Sequence, residues 1–557
     1  MIDHRAHLAD FQRVRRYAVP RWMIERATER RLAGDWRGAC AAALVRVGFD
    51  LDGVAREHGA EVAGAVLDDL RHLAPDLLRW HLPRLGHGRS TLATHLTVVL
   101  ADYGDDRSLH VATPTMADGP QHLRLCFGQA DEGDEDHYRG SVQSWTAARH
   151  LWDARRTGEL LQRCGGDDRA PFFRPDGTPL AADELAGPGP AGLAERVIML
   201  QESGEIEAAF DAAGLDLDLK APELPSYYRA RTPREILAAL PMALHRLTAE
   251  LRLSGAFAPE SGSGKPYRIL NSWPTNVLVV PRDRPWVRVE KAGSYGPPVM
   301  PEALWRRLPD LDLLRAGRII PEDLHPLVRS ALFPGRPDPD RPVGPLGPSV
   351  PGPVRVRCRG EWHEVHLRDG GLRIPHTAEE RQRESAMLAL GGASAGCFAV
   401  AHAWAGQGGR LPRHLRAQRR ELFVRAQHGD TPGVLALLDA GVDPRARDGR
   451  KRTLLHMLHM LDHEELLPRL LEAGLDLEVK DQNNRTPLHM AVGDHGSEAL
   501  VRALVDAGAR IDVVDDLEWA LSDLIQRIGR TDLGWLTERL KAECPDLGGR
   551  WWDEETE

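Results

Sequence analysis

At 557 residues the chain is too long for a single hydrophobic core, so two to four domains are expected. Its 42% apolar and 28% charged residues exclude a disordered polymer. A net charge of −10 argues against bulk nucleic-acid binding, which needs a basic surface to displace counterions.

The N-terminus, MIDHRAHLADFQ, carries charge from Asp3 onward and no apolar run, so no secretory leader is visible. No stretch approaches the length of a membrane span, and a cytoplasmic protein without a membrane partner is expected. Cys40, Cys126, Cys164, Cys358, Cys397 and Cys544 lie far apart in sequence. That spacing excludes a zinc ribbon and reads as free thiols in a reducing compartment; no metal and no cofactor is expected. Arginine is abundant throughout, which lowers the weight of any single arginine cluster.

Residues 1–82 read as a helical N-terminal segment. Pro20 is placed where a first helical turn tolerates it, and Trp22, Met23 and Ala27 follow at helical spacing. Residues 83–332 read as an α+β body. THLTVVLADYG, LHVATPT and QHLRLCFG are β-prone runs that predict an antiparallel meander, followed by a solvated acidic loop at 131–137. Helices are predicted at 141–163 and 191–219, then one long helix from Pro233 through LAALPMALHRL. TNVLVVPRDRPWVRVE predicts a hairpin. Residues 333–353 place a proline every two or three positions and predict a semi-rigid extended linker.

Residues 354–415 form a small strand-plus-helix segment. VRVRCRGEWHEVHLRDGGLRIP predicts short strands, and Thr377 with Glu380 predicts a capping box on a helix that stops at Gly391 and Gly392. The basic run from Arg410 to Arg425 predicts a solvated helix with Leu415, Leu422 and Phe423 turned inward.

A repeat then begins. Thr486-Pro487-Leu488-His489 recurs as Thr453-Leu454-Leu455-His456 about 33 residues upstream, and LLDAGVDPRARD, LLEAGLDLEVKD and LVDAGARIDVVDD recur at the same period. Residues 416–545 therefore resemble the ankyrin-repeat family. The threonine caps the first helix of a unit and Pro487 fits its first turn. Gly441, Gly474 and Gly508 end second helices, and Asn484 stands at a hairpin position that favours a left-handed residue. The resemblance implies that His456 and His489 tie neighbouring repeats structurally. It also places Arg450, Arg452, Gln482, Asn483 and Arg485 on protruding fingers that would meet a partner, the arginines suiting an acidic one. A short array of this kind needs support from the residues preceding it. A weaker echo, AAGLDLDL at 212–219, reads as an unrelated helical hairpin. Residues 546–557 form an acidic tail with Trp551 and Trp552.

Catalytic motifs are weak. ESGSGKPYR lacks two positions of a phosphate loop, Pro259 and Pro266 standing in the wrong places. Gly392-Ala393-Ser394-Ala395-Gly396 formally matches a nucleophile elbow, but the preceding segment predicts a helix where the elbow needs a strand. His456, His459 and His463 share one face of a predicted helix, and Trp362-His363-Glu364-Val365-His366 lacks a residue of the zinc-protease motif. All read as structural. Arg89-Ser90-Thr91 with Glu205-Ile206-Glu207 loosely resembles an ADP-ribosyltransferase pair, with the second element on a helix. The fold expected is α+β and multidomain: a helix-rich N-terminal region with antiparallel strands, then an all-α ankyrin-type solenoid. The function expected is protein–protein interaction as an adaptor, scaffold or regulator. The alternative is an enzyme or toxin whose catalytic site lies in residues 1–330 and is targeted by the repeats.

Overall fold

The computed structural model describes residues 4–86, 88–130, 141–225, 231–255, 264–270, 274–293, 296–348, 352–368, 371–391, 394–404 and 409–548. The acidic loop at 131–137, most of ESGSGK, Gly392 and Ala393, and the Trp551–Trp552 tail lie outside them. The chain divides into two units. One comprises Met1–Thr115 and His122–Leu346; the other comprises Met116–Gln121 and Gly347–Glu557. Among the described residues no helix is long and apolar enough to cross a membrane.

The first unit opens with the helices His4–Tyr17, Arg21–Leu32, Trp36–Ala42, Leu51–His58, Ala60–His72 and Pro75–His81. Met23 and Ala27 are fully buried, as the helical spacing requires. The predicted meander is present: Leu96–Asp102, Ser108–Ala112 and Leu123–Gly128 pair antiparallel. Two parallel strands, Val45–Val47 and Ser141–Ser144, extend it to five strands. Ser141–Ser144 corrects the helix predicted at 141–163, where only Leu160–Arg163 is α-helical. The Ser141 amide donates to the His95 carbonyl and the Trp145 amide to that of Val99, each completing the sheet, while Trp145 and Trp152 are buried. Tertiary pairing overrides local helix propensity there. A single core joins these helices, the sheet and the segment Leu311–Phe333, so residues 1–82 share their apolar interior with the strands after them.

A second core in the same unit packs the helices Pro190–Ser203, Ile206–Ala212, Pro233–Ala239 and Leu244–Leu253 on a four-stranded sheet. Thr275–Val280 and Trp286–Lys291 form the predicted hairpin, with Val277 opposite Val289 and Val279 opposite Val287. The long helix expected from Pro233 is broken in two. Pro241 has no amide to donate and forces Leu240 into extended backbone at φ −78, ψ 126. The echo at 212–219 is the end of a helical hairpin, which turns at Gly214 into the strand Asp216–Asp218.

Residues 333–348 of the proline-rich run contain no helix or strand and are strapped to the first unit. Phe333 packs edge-on against Phe173 at 5.6 Å, Arg336 pairs with Glu322 at 2.5 Å, and the Gly344 amide donates to the Glu322 carbonyl. The division between units falls inside this run, at Leu346 and Gly347.

The second unit begins with a three-stranded sheet, Val354–Cys358, Glu361–Arg368 and Gly371–Arg373, and the helices Ala378–Ala389 and Gly396–Trp404. Helix pairs follow: Arg413–Gln427 with Thr431–Asp439, a 3-10 coil Leu454–Met460 with His463–Glu472, Pro487–Gly493 with Glu498–Asp506, and Leu521–Ile528 with Gly534–Glu543. One continuous core runs from Val354 to Leu540, so the short array shares its interior with the sheet before it. Leu415, Leu422 and Phe423 all enter that core.

Candidate functional site

Each unit of the array builds its finger from one aspartate. The Asp448 carboxylate accepts from the Arg450 and Arg452 amides at 2.8 and 2.9 Å. Asp481 accepts from Asn483 and Arg485 at 2.8 and 3.0 Å, and Asp515 from Leu517 and Trp519 at 2.9 and 3.0 Å. A carboxylate satisfying two amides closes a tight turn, and the fourth residue of each turn is left-handed: Lys451 at φ 63, Asn484 at φ 57, Glu518 at φ 61. Backbone bonds link the fingers laterally, Gln482 donating to the Arg450 carbonyl and Asp516 to that of Asn483.

The threonine–histidine pairs sit behind the fingers. The Thr486 amide donates to His489 Nδ1 at 3.2 Å and the Thr486 hydroxyl lies 2.9 Å from the same nitrogen; Thr453 and His456 repeat both contacts. With Nδ1 accepting, Nε2 of His456 carries the proton and donates to the Arg485 carbonyl of the next unit at 3.1 Å. Burial pushes both imidazoles down to about 4, the neutral form this arrangement needs. Pro487 is buried at the start of its helix, and Gly441, Gly474 and Gly508 end theirs at φ 91, 75 and 100.

The five finger residues are not equivalent. Arg452 is 3% exposed and ion-paired to Asp448 at 2.8 Å; Arg485 is paired to Asp481 at 2.9 Å. Both hold their own turns, which removes Arg452 from the surface. Gln482 is exposed and Asn483 half-buried. Arg450 projects, its side chain 43% exposed, and its guanidinium meets the Asp118 carboxylate at 3.3 Å.

Asp118 belongs to Met116–Gln121, which groups with the array although it is distant in sequence. Its carbonyl accepts from His459 Nε2 at 2.8 Å, and Gly119 lies so close to the Asp494 carbonyl that a Cβ would stand 3.2 Å away. Burial pushes the Asp494 carboxyl up to about 7. The sequence carried no sign of this contact, because nothing in the repeat pattern points to residues more than 300 positions upstream. His456 and His459 thus turn to different carbonyls instead of converging as metal ligands. The 3-10 coil ends where Asp462 caps the next helix by accepting from the Glu464 amide.

The other motifs resolve similarly. Ser394 follows the helix Ala378–Ala389 and not a strand. Glu207 is on a helix and pairs with Arg234 at 2.6 Å. In the first unit a cavity of about 70 Å³ is lined by His81, His150, Arg163, Cys164 and Glu250 among others. That is room for a few waters, against the roughly 300–1,000 Å³ of small-molecule sites.

One cluster escaped the sequence reading. Cys358, His363, His376 and Cys397 bring four donor atoms within 4.8 Å of one another. Cys358 and His363 flank the tight turn Arg359–Gly360 and alternate onto the same sheet face as Val356 and Val365, a feature that the period of two could have revealed. His376 and Cys397 join only through the tertiary fold.

Residues 422–515 match a family model of ankyrin repeats, in three copies. The C-terminal part of the chain is therefore an ankyrin-repeat array, and no family model matches the N-terminal region. No curated protein matches the chain.

Proposed function

We propose that the chain is a protein-interaction adaptor or scaffold, working in the cytoplasm, whose ankyrin fingers dock an acidic segment of another protein. Ankyrin arrays are protein-binding modules, and a rigid preformed surface binds with little ordering cost. The observation that carries the acidic preference is Arg450: an exposed guanidinium on a finger, already engaging a carboxylate of Met116–Gln121 at 3.3 Å. Asp118 occupies the position that an acidic partner would take. Gln482 and Asn483, on the adjacent finger, extend the same surface. None of the six cysteines is in a disulfide, which agrees with a reducing compartment.

The test is affinity capture from the source cell with intact protein and with Arg450→Glu/Gln482→Glu. Neither position serves as the aspartate or histidine of a turn, so the array stays folded. Loss of a reproducible partner set from the double variant is the expected result. Equal recovery of the same proteins by both would remove the fingers from recognition. Asp118→Asn is expected to strengthen capture several-fold by vacating Arg450.

A further inference from the structure

We propose that Cys358, His363, His376 and Cys397 hold one structural zinc ion, which fastens the small sheet to the helices leading into the array. Around tetrahedral zinc, with Zn–S of about 2.3 Å and Zn–N of about 2.0–2.1 Å, donors stand about 3.3–3.4 Å apart for N–N and about 3.5–3.6 Å for N–S. The observed separations follow those edges. His363 Nδ1 and His376 Nε2 are 3.3 Å apart, Cys397 Sγ and His363 Nδ1 3.5 Å, and Cys358 Sγ and His376 Nε2 3.6 Å. Two sulfurs and two imidazoles form a donor set that selects zinc over the hard, oxygen-seeking cations. All four corners are protein, which leaves no open position for substrate and makes the site structural.

The surroundings are shaped for it. His376 Nδ1, the nitrogen turned away from the cluster, lies 3.4 Å from the Glu380 carboxylate, the outer partner that orients a metal-bound imidazole. Glu380 is itself fixed by the Thr377 capping box. Gly396 opens the helix bearing Cys397 at φ 59, and a Cβ there would come within 2.5 Å of Cys358 Sγ and 2.9 Å of its Cα. Only glycine lets the two cysteine-bearing segments approach.

The ion would also tie down the least buried helix of the module. Ala378–Ala389 buries none of its described side chains and is held at its N-terminal part by polar contacts, His376 with Glu380 and Arg359 with Glu380 and Glu384. The sheet and the helix bearing Cys397 already share the apolar interior of the array, and the ion would tie the segment carrying His376 to that interior. On binding, each thiol gives up its proton to solvent and the sulfurs coordinate as thiolates.

Full-length protein, purified without a histidine tag or chelator and desalted, is expected to carry one zinc per chain by elemental analysis. Refolding with cobalt in place of zinc is expected to give a thiolate-to-cobalt charge-transfer band, reduced by about half in Cys397→Ser, with Cys544→Ser unchanged. Because a ligand variant can misfold, wild-type thiol alkylation provides a second measurement. Cys358 and Cys397 should react at least about tenfold faster after chelation, while Cys126 keeps its rate. Zinc well below one equivalent even after refolding with the metal, alkylation indifferent to chelator, or a Cys358–Cys397 disulfide in protein purified under reducing conditions would each overturn the proposal.

Discussion

His456 and His489 occupy one position in consecutive repeats, and burial pushes both down to about 4. In an unfolded chain histidine titrates near about 6.5. Between those values the unfolded state takes up protons that the folded array refuses, so stability falls as pH falls. The contribution is whole above about pH 6.5 and is lost as pH drops toward and through 4. Asp481, Arg452 and Arg447 face His456, and Asp515 and Arg485 face His489; none reverses the effect of burial. His459 is likewise pushed down to about 4, but its neighbour Asp494 is pushed up to about 7 and works in the opposite sense. The urea midpoint of the array is therefore expected to be lower at pH 5 than at pH 7, and His489→Gln to flatten that difference. Equal midpoints at both pH values would contradict the buried neutral imidazoles. At constant pH 7, His456→Ala should cost about 1–3 kcal/mol, because the Thr453 amide and the Arg485 carbonyl lose their partner.

The finger turns show how unevenly a sequence reports its elements. Asn484 announces a left-handed position, since its short amide tolerates that conformation; Lys451 and Glu518 adopt the same φ without any such sign. The strain held by a side chain in that conformation is roughly 1–2 kcal/mol, and glycine costs back about 0.4–1 kcal/mol in the unfolded chain. Lys451→Gly is thus expected to raise the unfolding free energy of the array by up to about 1 kcal/mol, read from urea denaturation, and Asn484→Gly by much less. A loss of stability at Lys451→Gly would show that the lysine stem makes packing contacts outweighing the strain. Elements with local periodicity were legible for the same reason: the Val277–Val289 hairpin, the capped helix at Thr377 and the repeat itself all carry their cause within a few residues. The parallel strands Val45–Val47 and Ser141–Ser144 do not, because their partners lie about 45–80 positions away. Pro241 was readable, and the long-helix prediction failed by giving apolar period more weight than a missing amide. The cysteine–histidine cluster falls between the two cases, with one pair in a hairpin and the other pair delivered by the fold.

Among the described residues, the apolar interiors fall into three sets that share no residue. The cluster from Val354 to Leu540 contains no side chain of the cores in the first unit, and it joins the three-stranded sheet to the last helix of the array. Three copies of the repeat are near the minimum for a stable stack, and this shared interior lengthens it at its N-terminal end. Leu488, fully buried in the third repeat, is a direct probe of that continuity. Leu488→Ala removes methylene packing and leaves a cavity, at a cost of about 2–5 kcal/mol. If the sheet and the array form one cooperative body, hydrogen exchange should rise in peptides from Val354–Cys358 and Glu361–Arg368 as well as in Pro487–Gly493. Peptides from Leu96–Asp102 and Thr275–Val280, in the other two cores, should keep their protection. Faster exchange confined to the mutated repeat would mean that the stack opens unit by unit, and that the sheet before it contributes no stability to the fingers.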